Sequence, residues 1–499
     1  MKFSWPIVIA LALAAGALTL DGGFVYDDGS ALFRNPLVSG DLPASAAFTH
    51  DYWGGPIDQP IRSYRPLIPL LWHGLWALAP KSPLPFRLFS CLLHIAATAG
   101  VFALLLRVLK QREALAGALL FAVHPVHAEA VGAIVGQSDL ASAALGCAVL
   151  VCGAATTRRA WWGAALLLVA CAAKETAVVF GAALIAMTWA ERREGRLARC
   201  LPSALVMLAV IGVQLSFERA PGGVMAESLA ISLHGFLRVV YGFHIIGHAT
   251  SLLVMPTGLA PHHGFAAVQP SLESLGPFAV VGVLATLCGV LLLLHGGRRR
   301  DGVLLGALAL WLGPLAIQSG FLVTPVTDIA ERLLYTPSIA ACGALGLALA
   351  QLIARERMQT AALSLVLLVF AGLTVDAQRA WVSDMALWSR AIMVEPRSWQ
   401  AQKNYAAELS LVGRNAEAAW PFLVSFALVR RFPEPIDWSM VETLETKPLE
   451  ERLAEGPFVL EPADGCKLAR VYLKNMQKSA PEVVAVLGPV YRARGCTKL

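Results

Sequence analysis

The chain has 499 residues, 57% hydrophobic and only 15% charged, with a mean hydropathy of +0.62. Soluble domains carry about 25% charged residues, so this composition excludes a soluble enzyme and points to an integral membrane protein. The formal net charge of +6 sits in short clusters between apolar runs, which reports membrane topology rather than nucleic-acid binding.

The first run, "MKFSWPIVIALALAAGALTLDGG", has the basic start and small residues of a signal peptide. The sequence after it makes sense only if this helix stays attached, so an uncleaved first helix is the reading taken here. Continuous stretches such as "GPFAVVGVLATLCGVLLLL" predict helices, because barrel strands alternate over about ten residues. Eleven apolar segments follow one another near 4–20, 86–106, 114–134, 139–157, 160–173, 175–190, 202–217, 277–295, 302–319, 334–352 and 359–375. Basic clusters lie at Lys2, "RVLKQR" (107–112), Arg158–Arg159, "ERREGRLAR" (191–199), "RRR" (298–300) and "ARER" (354–357).

Counting from a cytoplasmic N-terminus puts every cluster inside. The same count puts loops 21–85, 218–276 and 320–333, and the tail from 376, outside. Residues 160–190 are short for two spans of about 20 residues each, which predicts short or tilted helices. The stretch 231–255 has no basic cluster beyond it and reads as interfacial or re-entrant. "RPLIPLLWHGLWALAP" (65–80), rich in Trp and Pro, suits a helix at the interface. The fold class is therefore an all-α polytopic membrane protein, a bundle of about eleven transmembrane helices over residues 1–375 with a long first outer loop.

From Asp376 the chain turns polar, and 376–499 reads as a small helical domain. A 34-residue frame of the TPR type fits about 381–432, with Ala406, Leu409, Gly413, Ala418 and Phe422 in register and Trp388, Ala391 and Pro396 one period earlier. Seven cysteines (91, 147, 152, 171, 200, 288 and 342) lie in or beside apolar segments and read as packing residues. Cys466 and Cys496, in the polar tail, could form a disulfide if that tail is exported.

Polar residues that could carry chemistry gather on the outer side. In "GGFVYDDGSALFRNP" the carboxylates Asp27 and Asp28 stand where the first helix leaves the bilayer. Charge there is costly to desolvate and invites a functional reading, while an Asp-Gly pair is also ordinary turn chemistry. "HPVHAEAVGAIVGQSDLAS" carries His124 and His127, which could share a helical face although Pro125 bends the chain; with Asp139 they could form a metal site, hydrogen-bond a polar substrate or sit idle at the interface. Lys174 and Glu175 are embedded in apolar sequence, so either they pair with other charged groups or Lys174 faces an anionic ligand. In "TPVTDIAERLLYTPS", Arg332 could pair with Asp328 at i,i+4 or, with Tyr335, present a phosphate ligand and an aromatic wall. Arg65, in "IRSYRPL", suits bidentate phosphate recognition.

Taken in order, "FVYDDGSALFRNPLV", "SYRPL", "PFRLFSCLLH", "HPVHAEAVGAIVGQSDLAS", "AKETAVV" and "ERLLYTPS", followed by TPR-like sequence, resemble the transmembrane and TPR-repeat-containing O-mannosyltransferases of the GT-C glycosyltransferases. The resemblance covers about residues 1–430. Two departures stand out: about one and a half TPR repeats where the family has many, and Gln137-Ser138-Asp139 where an acidic-basic pair often sits.

The resemblance implies a polyprenyl-phosphate sugar donor, with mannose as the sugar, and a hydroxyl of an exported acceptor attacking its anomeric carbon with inversion. Asp27 matches the family's acidic first-loop motif and is the implied general base, with Asp28 orienting it or the acceptor. Arg332, Lys174 and Arg65 would hold the donor phosphate, and His124, His127, Asp139, Glu175 and Tyr335 would line the substrate site. No metal is obligatory, although Asp27 and Asp28 could hold a divalent cation. Separately from the resemblance, the small, Ala-rich composition suggests a bacterial inner membrane, which with the count of basic clusters gives a cytoplasmic N-terminus and a periplasmic C-terminal domain. Two other functions stay open at this point: transfer to a glycolipid or glycan, and a non-catalytic scaffold using the TPR unit.

Overall fold

Backbone groups in hydrocarbon must be paired within their own segment, so apolar runs of this kind fold as helices. The computed structural model describes residues 4–59, 63–191, 194–217, 235–261, 263, 272–321, 329–414, 417–418, 420–422 and 424–425. It divides into two compact units, Met1–Pro261 with Leu272–Ser383, and His262–Ser271 with Asp384–Leu499. Among the described residues there is no strand, only an isolated β-bridge between His50 and Pro56. Cys466 and Cys496 lie outside the described residues, as does Asp328.

The first unit runs α1 (Ser4–Ala17), α2 (Pro36–Ser39), α3 (Leu67–Leu78), α4 (Leu84–Val108), α5 (Gln111–Ala122), α6 (His127–Gly132), α7 (Gln137–Cys152), α8 (Thr157–Ala173) and α9 (Val178–Ala190). It continues through α10 (Arg196–Ser216), α11 (Gly235–Val254), α12 (Leu272–Arg299), α13 (Gly302–Gln318), α14 (Pro337–Leu352) and α15 (Glu356–Gln378). Six helical segments of the described residues are long and apolar enough to cross a membrane, and five further apolar helices are shorter. The fold is an all-α polytopic membrane fold.

The expected segment 114–134 is broken. α5 stops at Ala122 and α6 begins at His127, because Pro125 offers no N–H and biases the residue before it away from the helical region. As anticipated for 160–190, α8 and α9 have 17 and 13 residues. A single 3₁₀ turn, Glu175–Ala177, joins the cap of one to the start of the other.

Contacts sort the helix ends onto two faces. On one, Gln111 reaches Ser4 at 3.2 Å, Arg112 pairs with Glu356, and Arg199 donates to the Ala154 carbonyl at 3.0 Å. The basic clusters collect there. On the other, the Gly23 N–H meets the Val382 carbonyl at 3.0 Å, and Thr374 donates to the Val123 carbonyl at 2.8 Å. The loops that carry the candidate residues collect there.

α11 departs from the simple alternation. Its length and apolarity would let it cross. Yet Arg238 near its start donates to the Gly320 carbonyl, just past α13, and His124, just past α5, donates to the Leu253 carbonyl at its end. α5 and α13 both finish on the loop face, so both ends of α11 lie on that face. The helix packs backbone to backbone on α12, where a Cβ on Gly247 would fall 1.8 Å from the Phe278 carbonyl oxygen.

The first loop is ordered by its own polar groups. Asp51 accepts the N–H groups of Trp53 and Gly55, each at 2.9 Å, and Asn35 donates to the Tyr52 carbonyl at 3.0 Å. Trp72 of α3 donates to Gln137 at 2.7 Å, and the Gln137 amide donates to the Phe86 carbonyl at 2.7 Å and to Ser90 at 2.9 Å. Gln137, one of the departures from the family pattern, is thus a buried bracket between α3, α4 and α7.

The second unit contains α16 (Asp384–Val394) and α17 (Trp399–Leu411). Ser398 caps α17 by accepting the Ala401 N–H at 3.2 Å, and Gly413 takes φ +81° where the chain turns away. Ala406, Leu409 and Ala418 are buried together against Tyr405 and Phe422.

Candidate active site

The turn after α1 presents its two carboxylates differently. Asp28 is fully buried and accepts the Val25 N–H at 3.1 Å and the Val135 N–H at 3.2 Å. Burial pushes its carboxyl up to about 7, against the pull of the Val25 N–H, the nearby Arg87 guanidinium and the Val135 N–H. Asp28 therefore fastens the first loop to the 3₁₀ turn Ile134–Gly136. Asp27 is half-buried, and its backbone carbonyl accepts the Ala31 N–H at 2.9 Å inside a π-type turn over Gly29–Phe33. Tyr26, just before it, takes φ +57° without being glycine. Such strain persists where the surroundings over-determine it, as functional sites do.

Arg87 of α4 holds this turn from behind. It is fully buried and donates to three carbonyls: Gly23, through both Nε at 3.1 Å and Nη2; Gly132, at 3.0 Å; and Trp381, at 3.1 Å. One guanidinium thus binds the first loop, α6 and the segment after α15. A Cβ on Gly22 would lie 2.6 Å from the guanidinium carbon, so this approach needs glycine.

Three ion pairs form the charged part of the site. Lys174 Nζ meets Asp139 Oδ1 at 2.6 Å, with 4% and 8% of the side chains exposed. Arg65 binds Glu175 through two bonds of 2.8 Å and lies over the Tyr52 ring at 5.3 Å. Arg332 binds Glu129, whose carboxylate takes both the Arg332 guanidinium and, at 2.9 Å, the Arg332 backbone N–H. Electrostatic interaction links Arg332 onward to Asp27, Tyr26 and Asp139, and Lys174 to Arg65 and Glu175. Burial works against the charge on Arg332 and on Arg65, but the carboxylates beside them, Glu129 and Asp27 for the first and Glu175 for the second, hold both above the ordinary arginine range. Tyr52, buried and pushed upward by that burial, feels Arg65, Arg332 and Asp27 together.

The histidines go elsewhere. His124 Nε2 donates to the Leu253 carbonyl at 3.1 Å, and its Nδ1 faces the Val126 N–H at 3.4 Å. His127 Nε2 meets Ser338 Oγ at 2.8 Å, and His94 of α4 meets the Tyr335 hydroxyl at 2.8 Å and the Ala122 carbonyl at 3.1 Å. With Phe121 these rings form a packed wall, the His127 and Tyr335 centroids lying 4.3 Å apart.

The structure therefore brings Lys174 to Asp139, Arg65 to Glu175 and Arg332 to Glu129, three ion pairs on the face that also carries the Asp27 turn. His124, His127 and Tyr335 stand together in an adjoining buried wall. Sequence reasoning missed Glu129, Arg87, His94 and Tyr52. Glu129 stood inside a quoted motif, and a carboxylate between two apolar residues was the available signal. Arg87 and His94 likewise stood inside the quoted "PFRLFSCLLH", where an arginine in an apolar run was the available signal. Among the described residues no group of three His, Cys, Asp or Glu side chains is placed to hold a metal ion.

Comparisons with known proteins bear on this arrangement. The family model described as dolichyl-phosphate-mannose-protein mannosyltransferase matches residues 58–217. The chain is 24% identical over 434 residues to Protein O-mannosyl-transferase F38B6.6 of Caenorhabditis elegans, which covers 83% of this chain and 61% of that protein. It is 40% identical over 136 residues to Protein O-mannosyl-transferase Tmtc1 of Drosophila melanogaster, covering 27% of this chain and 16% of that one. It is 33% identical over 151 residues to human Protein O-mannosyl-transferase TMTC4, covering 27% of this chain and 20% of that one. The chain thus spans less than two thirds of each of these relatives. No solved structure matches it. The matches and the ordered motifs make this chain, an all-helical membrane protein, similar to the transmembrane and TPR-repeat-containing O-mannosyltransferases.

Proposed function

We propose that the protein is a membrane glycosyltransferase that moves mannose from a polyprenyl-phosphate donor to a hydroxyl of an exported protein. The reading places the loop face on the outside, with the basic face in the cytoplasm by the charge rule and, for a bacterial inner membrane, the second unit in the periplasm. The observation that supports it is the set of three carboxylate-held cations, Arg332 on Glu129, Lys174 on Asp139 and Arg65 on Glu175, gathered among the loops of the face that also carries Asp27. A base and a cation there would face the two ends of one displacement.

In that displacement Asp27 takes the proton of the acceptor hydroxyl while its oxygen attacks the anomeric carbon. The bond from that carbon to the phosphate oxygen breaks, its electron pair passes to the phosphate, and the centre inverts. Phosphate is a competent leaving group and needs only cationic stabilisation, which Arg332 supplies, with Lys174 and Arg65 behind it. Each of the three cations already carries a carboxylate partner. That balance favours a singly charged phosphodiester over a more highly charged donor. Asp28 acts by locking the turn that carries Asp27. His124, His127 and Tyr335 form the wall behind Arg332.

The test is transfer of radiolabelled mannose from polyprenyl-phosphate mannose to a mixture of exported proteins and glycolipids. Label in protein supports the reading. Label confined to glycolipid replaces the acceptor class, and no label under donor saturation contradicts the enzyme reading.

A further inference from the structure

Arg332 lies on a 3₁₀ turn, Glu331–Leu334, that is too short to fix a long flexible side chain by itself. Its neighbours are pinned from several directions. Glu331 accepts the Ala260 N–H at 2.6 Å, Tyr335 bonds His94, and Ser338 bonds His127. None of these bonds touches the guanidinium. Glu129 does. It is fully buried on α6, and its carboxylate holds the backbone N–H of Arg332 with one oxygen and Nη1 with the other. α6 is itself tied down at Gly132 by Arg87.

We propose that Glu129 is a positioning residue for the transfer reaction, setting the backbone and the guanidinium of Arg332 against the donor phosphate. The inference rests on the phosphate-binding reading of Arg332 given above. Glu129 has no exposed surface with which to meet a substrate, so it acts through Arg332. Holding the backbone and the side chain of one residue from a single carboxylate removes the rotamer freedom an arginine would otherwise lose on binding. It also leaves the remaining guanidinium N–H groups to the ligand.

The test is a double-mutant cycle on the full chain in lipid nanodiscs, read as the dissociation constant for polyprenyl-phosphate mannose and as kcat. The proteins are the wild type, Glu129→Gln, Arg332→Gln and the double variant. Glutamine can still accept the backbone N–H, but its amide opposes the guanidinium, so Glu129→Gln should weaken donor binding by roughly a hundredfold. Arg332→Gln should weaken it at least as much, and the double variant should be no worse than Arg332→Gln alone. The double variant leaves no unpaired buried charge, which guards against misfolding as the explanation. Losses that multiply in the double variant would overturn the proposal, because Glu129 would then act independently of Arg332. Unchanged binding in Glu129→Gln would overturn it too. Unchanged binding in Arg332→Gln would instead remove Arg332 from the donor site, and absence of binding by the wild type would remove the donor reading itself.

Discussion

The carboxylate of Asp28 accepts the backbone N–H of Val135 at 3.2 Å, joining the exit of α1 to the turn before α7 across 107 residues of chain. The bond gives the adjacent carboxylates separate tasks. Asp28 is spent inside the fold, and Asp27, next to it, stays half-buried on the loop face.

Asp28→Asn should cost stability first. An amide can accept one of the two N–H groups but sets its own NH₂ against the other, at a cost of about 1–3 kcal/mol. Burial raises the Asp28 carboxyl to about 7 in the folded chain, from an ordinary value of 3.8. Below the lower value both states are protonated. Between the two values only the folded state keeps the proton, so stability should fall as pH rises through that window and level off above it. Thermal unfolding at a series of pH values should show this slope, reduced in Asp28→Asn.

Arg87→Lys should be severe despite its kept charge. Lysine has no planar fork with which to serve three carbonyls, and breaking a buried charged network of this kind costs roughly 3–5 kcal/mol. Gly22→Ala should reproduce part of the loss, since its Cβ would meet the guanidinium. Melting temperatures in detergent check both.

Lys174 and Asp139 separate stability from function. Lys174→Met should destabilise by about 3–5 kcal/mol through the unpaired carboxylate it leaves, whereas Lys174→Met with Asp139→Leu should recover most of that loss. If Lys174 serves the donor phosphate, the double variant should be stable and still poor in transfer. Full recovery of transfer would assign the pair a structural role alone.

α11 should be reached from one side of the membrane. Phe236 and Met255, beyond or near its ends, are 69% and 67% exposed. Phe236→Cys and Met255→Cys should both react with an impermeant thiol reagent from the loop face, above the background of the native cysteines. Labelling from opposite faces would make α11 a span.

Much of the membrane fold was legible because hydrocarbon imposes a long-range rule on a local signal. Apolar length marked helices such as α4 and α12, and basic clusters marked the common face of Arg112 and Arg199. The break at Pro125 was visible as chemistry but hidden by the apolar residues around it. The site was legible in parts. Asp27, Lys174 and Arg332 stood out as charges in costly places. Their partners did not, because Glu129 pairs with a residue 203 positions away and no spacing encodes that distance. Asp328, which i,i+4 spacing offered as one alternative for Arg332, lies outside the described residues. Lys174 and Glu175 pair with other charged groups, one of the two alternatives their apolar setting allowed: they occupy the joint between α8 and α9, where successive side chains diverge to Asp139 and Arg65. His124 and His127 could share a helical face but for the bend at Pro125; α6 starts only at His127, and His124 turns to α11.

The central claim is that Asp27 is the base of a sugar transfer, and one comparison tests it most directly. Wild type and Asp27→Asn, matched for melting temperature, would be given radiolabelled polyprenyl-phosphate mannose and exported-protein acceptor at saturating donor. The account predicts transfer by the wild type and a loss of about 10²–10⁴-fold in kcat for the variant, with donor binding retained. Equal kcat in the two proteins would contradict it.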